Sequence, residues 1–150
     1  MNIYQLTKEL DGFPSKFTEA KERTIVSRIY YSIFLTIREL IRQEVKNTPA
    51  EPLYDKLQDT YIHAVVMESL AECDKHFKNL LFALRKGRNE ADYNIQTSNY
   101  GSPNDNFVIA EELITHYNEI STSLKANSYE VQEIISKWFR IKEQRNSSQQ

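Results

Sequence analysis

Nothing between residues 16 and 46 breaks a helix. The segment has no proline or glycine, and Val26, Tyr30, Ile33, Ile37, Leu40 and Ile41 recur along it at helical spacing. Ile29, Phe34 and Val45 widen that stripe. A helix of about 30 residues is about 45 Å long, enough to span a small domain end to end. A rod of that length with one apolar face has to lie against other helices, and the rest of the chain supplies them.

Residues 2 to 10 form a short helix on the same reasoning, with Ile3, Leu6 and Leu10 on one face. Asp11, Gly12, Phe13 and Pro14 break it, and Ser15 is placed to cap the long helix. Two prolines between residues 47 and 52 end that helix. Residues 53 to 70 read as helical through Leu57, Tyr61, Ala64, Val65, Glu68 and Leu70. Another helix starts near Cys73 and contains Gly87, where glycine permits a bend or close packing. Residues 95 to 106 have no periodicity and form the longest loop. Phe107, Ala110, Leu113, Ile114, Tyr117, Ile120 and Leu124 predict one further helix. Ser128 caps the last, which carries Val131, Ile134, Ile135, Trp138 and Ile141. The predicted fold is all-α: an antiparallel up-and-down bundle of four to five helices. It forms a single domain over residues 1 to 150, with an N-terminal extension over 1–14 and a frayed polar tail over 143–150. Three glycines and four prolines suit long helices better than a β fold with many turns.

One position interrupts the apolar pattern. Phe77, Leu81, Leu84, Arg88, Ala91 and Ile95 share one helix face, and Arg88 is the only charge among them. A guanidinium on a core-facing stripe is costly unless it is paired or faces a wet cleft. Asp92 lies one turn on and Tyr93 follows it. Arg85, Lys86 and Arg88 cluster within four residues, and a planar guanidinium suits phosphate. The alternative is an ordinary i, i+4 ion pair with a purely structural role. Tyr30 and Tyr31 on the long helix read either as core packing or as a wall of the same cleft.

Other chemistries find little support. The net charge is −2, so any nucleic-acid contact is local rather than general. His63, His76 and His116 are too far apart in sequence to pair at metal-ligand spacing, so no metal site and no cofactor are expected. There is no serine elbow, no glycine-rich phosphate loop and no Cys with an obvious His neighbour. Cys73 is the only cysteine, which excludes an intramolecular disulfide and fits a reducing compartment. No apolar run approaches the roughly 18 residues of a membrane span. The N-terminus lacks signal-peptide character, so a cytoplasmic protein without membrane attachment is expected.

Three blocks, in this order, resemble the HEPN superfamily (higher eukaryotes and prokaryotes nucleotide-binding), especially its small stand-alone prokaryotic members. Arg28-Ile-Tyr-Tyr-Ser-Ile-Phe34 is similar to that group's Tyr-Tyr-x-x-Phe pattern. His63-Ala-Val-Val is similar to a histidine that begins the next helix in many members. Arg88-Asn89-Glu90-Ala91-Asp92-Tyr93 resembles both the Arg-Asn opening of the HEPN motif and an Arg-x-x-Ala-Asp-Tyr variant. The resemblance covers roughly residues 15 to 125. It implies a helical bundle and a two-fold homodimer with the motif helices facing across a cleft. In catalytic members the motif is an arginine followed, four to six residues on, by a histidine, and two such motifs cleave RNA without a metal. Arginine then holds the phosphate while histidine moves protons.

This chain departs at the decisive position. The window after Arg88 holds Tyr93, Asn94 and Ile95, with no histidine. Tyrosine, with an ordinary pKa near 10, is a poor base at neutral pH. The resemblance therefore implies RNA or nucleotide-phosphate binding through Arg85, Arg88 and Asn89. Asp92, Tyr93, Tyr30, Tyr31 and His63 would shape the cleft, and ribonuclease activity would be weak or absent. The setting it implies is a prokaryotic conflict system, toxin–antitoxin or phage defence, with a minimal nucleotidyltransferase or another defence protein as partner. Two alternatives stay open: a non-catalytic interaction or scaffold module, and a metal-independent ribonuclease that uses Arg88 and Tyr93.

Overall fold

A computed structural model describes residues 5, 7–9, 18–94 and 100–149. The chain is an all-α helical bundle, and no strand occurs among the described residues. Seven helices have defined bounds: α1 (Thr18–Val45), α2 (Glu51–Asp55), α3 (Asp59–Cys73), α4 (Lys75–Tyr93), α5 (Pro103–Thr115), α6 (Tyr117–Ala126) and α7 (Ser128–Ser148). Residues 5 and 7–9 are helical too. The predicted break at 11–14, the Ser15 cap and Ile95 lie outside the described residues, as does the part of the predicted loop over 95–99.

The long helix forms as its sequence dictates. Val26, Tyr30, Ile33, Ile37, Leu40 and Ile41 are all buried. Beyond α1, Asn47 takes a left-handed φ of 64°, a conformation asparagine tolerates at a helix C-terminus. Its N–H donates to Glu51 Oε2 at 2.8 Å, which ties the turn to the start of α2.

The chain divides into two compact units, one of residues 1–36 and 79–117, the other of 37–78 and 118–150. α1 and α4 contribute residues to both. In the first unit, Ile25, Val26, Ile29, Tyr30, Leu81, Leu84 and Ala110 are almost wholly buried. Gly87 is part of this packing. A Cβ there would lie 2.9 Å from the carbonyl oxygen of Tyr100 and 3.1 Å from Asn106 Oδ1. Gly87 therefore serves close packing, and the bend that its sequence position also allows is not needed to explain it. Alanine would gain about 1 kcal/mol of helix propensity. A backbone carbonyl cannot rotate away, however, and overpacking of this kind costs about 1–3 kcal/mol. Gly87→Ala is expected to lower the melting temperature, and a thermal melt equal to or above wild type would contradict the packing account.

In the second unit α3 and α2 pack against α7. Glu68, a carboxylate on the predicted stripe of α3, accepts from Trp138 Nε1 at 2.8 Å and pairs with Lys137 Nζ at 2.7 Å. The apolar pattern thus accommodates its one acid by giving it two donors. Helical structure continues to Ser148, past the point where the polar composition predicts fraying. Arg145, in that last stretch, lies over the Tyr61 ring at 5.7 Å.

Several boundaries differ from the sequence reading: the expected helix over 53–70 is divided between α2 and α3, and α5 already starts at Pro103, inside the expected loop. The expected helix over 107–124 is two helices, interrupted at His116. Thr115 Oγ1 donates back to the Glu111 carbonyl at 2.8 Å, which weakens a helix locally. The His116 N–H is shared between the Glu112 and Leu113 carbonyls. The break falls where the chain passes from one unit to the other. Ser128 is the first residue of α7 and not its cap, which is Asn127.

Tyr30 and Tyr54 are the largest fully buried side chains, one in each unit. Tyr54 donates its hydroxyl to the Arg38 carbonyl at 2.8 Å. Burial pushes both phenols well above the ordinary tyrosine range; Arg85 and Arg88 partly oppose it at Tyr30, and Arg38 at Tyr54. A raised folded-state pKa means the folded chain keeps these protons where the unfolded chain loses them. Their contribution is full below about pH 10 and falls away above it. In an ultraviolet titration of the nine tyrosines, these two are expected to ionise only as the protein unfolds. Ionisation of all nine in one step while the fold persists would contradict this.

Candidate functional site

Arg88 lies near the end of α4, and its side chain is 13% exposed. Its Nε sits 3.0 Å from Asp92 Oδ2, one turn ahead on the same helix. That contact is an ion pair but not a well-aligned hydrogen bond, because the buried Nε lacks a hydrogen-bond partner in line. Nη1 donates to Asn89 Oδ1 at 2.8 Å. Nη2 donates to the Tyr31 hydroxyl and, at 3.2 Å, to the Tyr93 hydroxyl. The guanidinium carbon also lies 4.8 Å from the Tyr31 ring centre and 5.1 Å from that of Tyr93, within cation–π range. Asp92 is fixed from the other side, accepting from Ser27 Oγ at 3.1 Å.

The costly cation on an apolar face is thus satisfied by one carboxylate, two phenols and an amide. Tyr31 and Ser27 come from α1, and Asn89, Asp92 and Tyr93 come from α4. The spacing of four between Ser27 and Tyr31 matches that between Arg88 and Asp92, so one turn of each helix carries the cluster. Tyr30, next to Tyr31, is buried behind it and makes an edge contact with the Tyr31 ring at 5.4 Å. Arg85 lies one turn earlier, and its buried Nε has no hydrogen-bond partner. Asn89 is exposed, and Tyr93 is 73% exposed. The site therefore has a covered side and an open side.

The structure brings together Arg88, Asn89, Asp92, Tyr93 and Tyr31 from the residues singled out in the sequence, with Tyr30 and Arg85 adjoining. His63 lies on α3 in the other unit, partly exposed. Among the described residues, no group of three or more His, Cys, Asp or Glu side chains is placed to hold a metal ion. No helix among them is long and apolar enough to cross a membrane.

One residue was missed by sequence reasoning. Arg23 on α1 donates through Nη1 to the carbonyls of Glu90, Ala91 and Asn94, each at 3.1 Å. Its Nε pairs with Glu19 at 3.0 Å, and its guanidinium lies 4.6 Å from the Tyr100 ring centre. The last turn of α4 has no basic residue of its own. A helix C-terminus presents unpaired carbonyls and a partial negative charge, and Arg23 supplies the missing cation from another helix. That turn carries Asp92 and Tyr93, so Arg23 sets where both stand relative to Arg88. Tyr100 in turn donates to Glu22 Oε2 at 3.2 Å; burial and this bond to a carboxylate both push its phenol pKa upward.

The chain has relatives in Methanocaldococcus jannaschii. It is 29% identical over 106 residues to the uncharacterized protein MJ0992, a match covering 63% of this chain and 59% of the relative. It is 31% identical over 88 residues to the uncharacterized protein MJ0628, covering 53% of each. The chain thus spans little more than half the length of these curated relatives. No family model and no solved structure matches it.

Proposed function

We propose that this protein binds RNA or a nucleotide through phosphate, with Arg88 as the central contact and Arg85 and Asn89 beside it. The observation that carries this reading is the division of labour around the guanidinium. Its Nε faces the carboxylate of Asp92, whereas its Nη donors face the neutral oxygens of Tyr31, Tyr93 and Asn89. From an anionic oxygen a guanidinium gains Coulomb attraction as well as a hydrogen bond, and from a neutral oxygen the hydrogen bond without that attraction. A phosphate therefore outcompetes those neutral partners, while Asp92 keeps the guanidinium plane oriented. The HEPN resemblance of residues 28–34 and 88–93 adds the expectations of a homodimer, a conflict-system setting and a nucleotidyltransferase-type partner. With tyrosine at the histidine position, binding is the role and cleavage is weak or lacking.

The test is a fluorescence-anisotropy titration of a labelled single-stranded RNA at low and physiological salt. Binding should weaken linearly on a log–log plot against salt, with a slope that reflects the phosphates contacted. No binding at low salt would end this reading.

A second reading rests on the low exposure of Arg88 and on the partners its two Nη groups already have within the chain. In it, the Arg88–Asp92 pair is structural, and the protein is a non-catalytic interaction module. It predicts that Arg88→Ala leaves RNA affinity unchanged and alters the assembly mass measured by light scattering.

A further inference from the structure

The phosphate-facing edge of Arg88 is occupied in the free chain, and two of its occupants, Asn89 and Tyr93, are exposed; Asn89 holds Nη1 from the next position on α4, whereas Tyr93 shares Nη2 with Tyr31. Tyr31 projects from the middle of a long helix and is half-buried. Asp92 is braced by Ser27. Tyr93 is the last residue of α4 and is 73% exposed, yet both its hydroxyl and its ring sit on Arg88. Little buried surface is lost when this side chain swings out.

We infer that Tyr93 is a self-competing latch: its hydroxyl holds Arg88 Nη2 in the unliganded chain and must release it before a phosphate oxygen can bind. The inference rests on the phosphate-binding reading of Arg88 and assigns Tyr93 a role distinct from catalysis or ligand contact. The latch suits an arginine on an otherwise apolar stripe. Without ligand, Nη2 has the Tyr31 hydroxyl as one acceptor, and Tyr93 supplies a second at little cost in order. The acceptor is neutral and the contact long at 3.2 Å, so an anionic phosphate oxygen displaces it readily. An exposed aromatic with one polar tie among the described residues leaves through its own χ angles, without moving α4. Tyr93 thus lowers the apparent affinity of the site by the fraction of time the latch is closed.

The test separates the hydroxyl from the ring. Tyr93→Phe keeps the aromatic face over Arg88 and removes the hydrogen bond. Wild type, Tyr93→Phe and Arg88→Ala are each titrated against the same labelled single-stranded RNA. Inorganic pyrophosphate serves as a competitor that has phosphate but no base. The latch predicts that Tyr93→Phe binds both ligands about two- to tenfold more tightly, the factor expected for one hydrogen bond no longer in competition. Equal or weaker binding by Tyr93→Phe, with binding lost in Arg88→Ala, overturns the latch and leaves the phosphate site standing. Unchanged binding in Arg88→Ala overturns both. Circular dichroism of each variant checks that the helical fold is kept.

Discussion

Arg23→Ala is expected to destabilise the protein by about 2–4 kcal/mol and to weaken RNA binding as well. One nitrogen of Arg23 serves three carbonyls at the end of α4. Hydrogen bonds to a charged group are each worth about 1.5–3 kcal/mol, and bonds sharing one donor group do not add in full. The cation also stacks near Tyr100, so alanine removes packing together with charge. The affected turn carries Asp92 and Tyr93, and its loosening lets the Arg88 side chain lose its fixed plane. Urea unfolding gives the stability change, and hydrogen exchange of the amides from 90 to 94 locates it. Arg23→Lys is expected to recover only part of the loss, since an ammonium cannot reproduce the planar fork. A variant with wild-type stability and unchanged exchange in this turn would show that Arg23 is dispensable.

The second large effect concerns Arg88 itself. Arg88→Ala is expected to lower RNA affinity by about 10- to 100-fold, corresponding to the loss of about 1.5–3 kcal/mol in charge-assisted hydrogen bonding. The change also removes the ion-pair partner of Asp92 and leaves it the hydrogen bond from Ser27, so some loss of stability accompanies it. Arg88→Lys separates the two effects. It keeps a positive charge beside Asp92 but offers a point donor in place of two parallel Nη groups. It should hold most of the stability while losing a substantial part of the affinity. Equal affinity in Arg88→Lys and wild type would mean that charge alone matters at this position.

Much of the architecture was legible because it depends on periodicity within short windows. The stripe on α1 and the residues Phe77, Leu81, Leu84 and Ala91 on α4 are buried as their spacing demands. Arg88 was conspicuous for the same reason, as a charge where the period calls for an apolar side chain. The start of α5 had a legible signal that a composition-based reading of the loop obscured. Ser102 accepts from the Asp105 N–H at 3.0 Å, and Pro103 follows at the first helical position, an ordinary cap-and-proline start. By contrast, the division of the helix at His116 depends on a hydroxyl bond back to the chain, which periodicity does not register. Arg23 was invisible for a deeper reason. Its acceptors are backbone carbonyls 67 to 71 residues away, and a carbonyl carries no sequence signature. Tyr31 and Ser27 became partners of Arg88 and Asp92 only once the register of α1 against α4 was known.

That register gives the site its chemical logic. Asp92 faces Nε, the tyrosines and Asn89 face the Nη groups, and the exposed Tyr93 forms the outer edge. The most direct measurement is a parallel anisotropy titration of wild type and Arg88→Ala with one labelled single-stranded RNA at low salt. The account predicts salt-sensitive binding by wild type and at least about tenfold weaker binding by the folded variant. Equal affinity of the two proteins, or no binding by wild type, would contradict it.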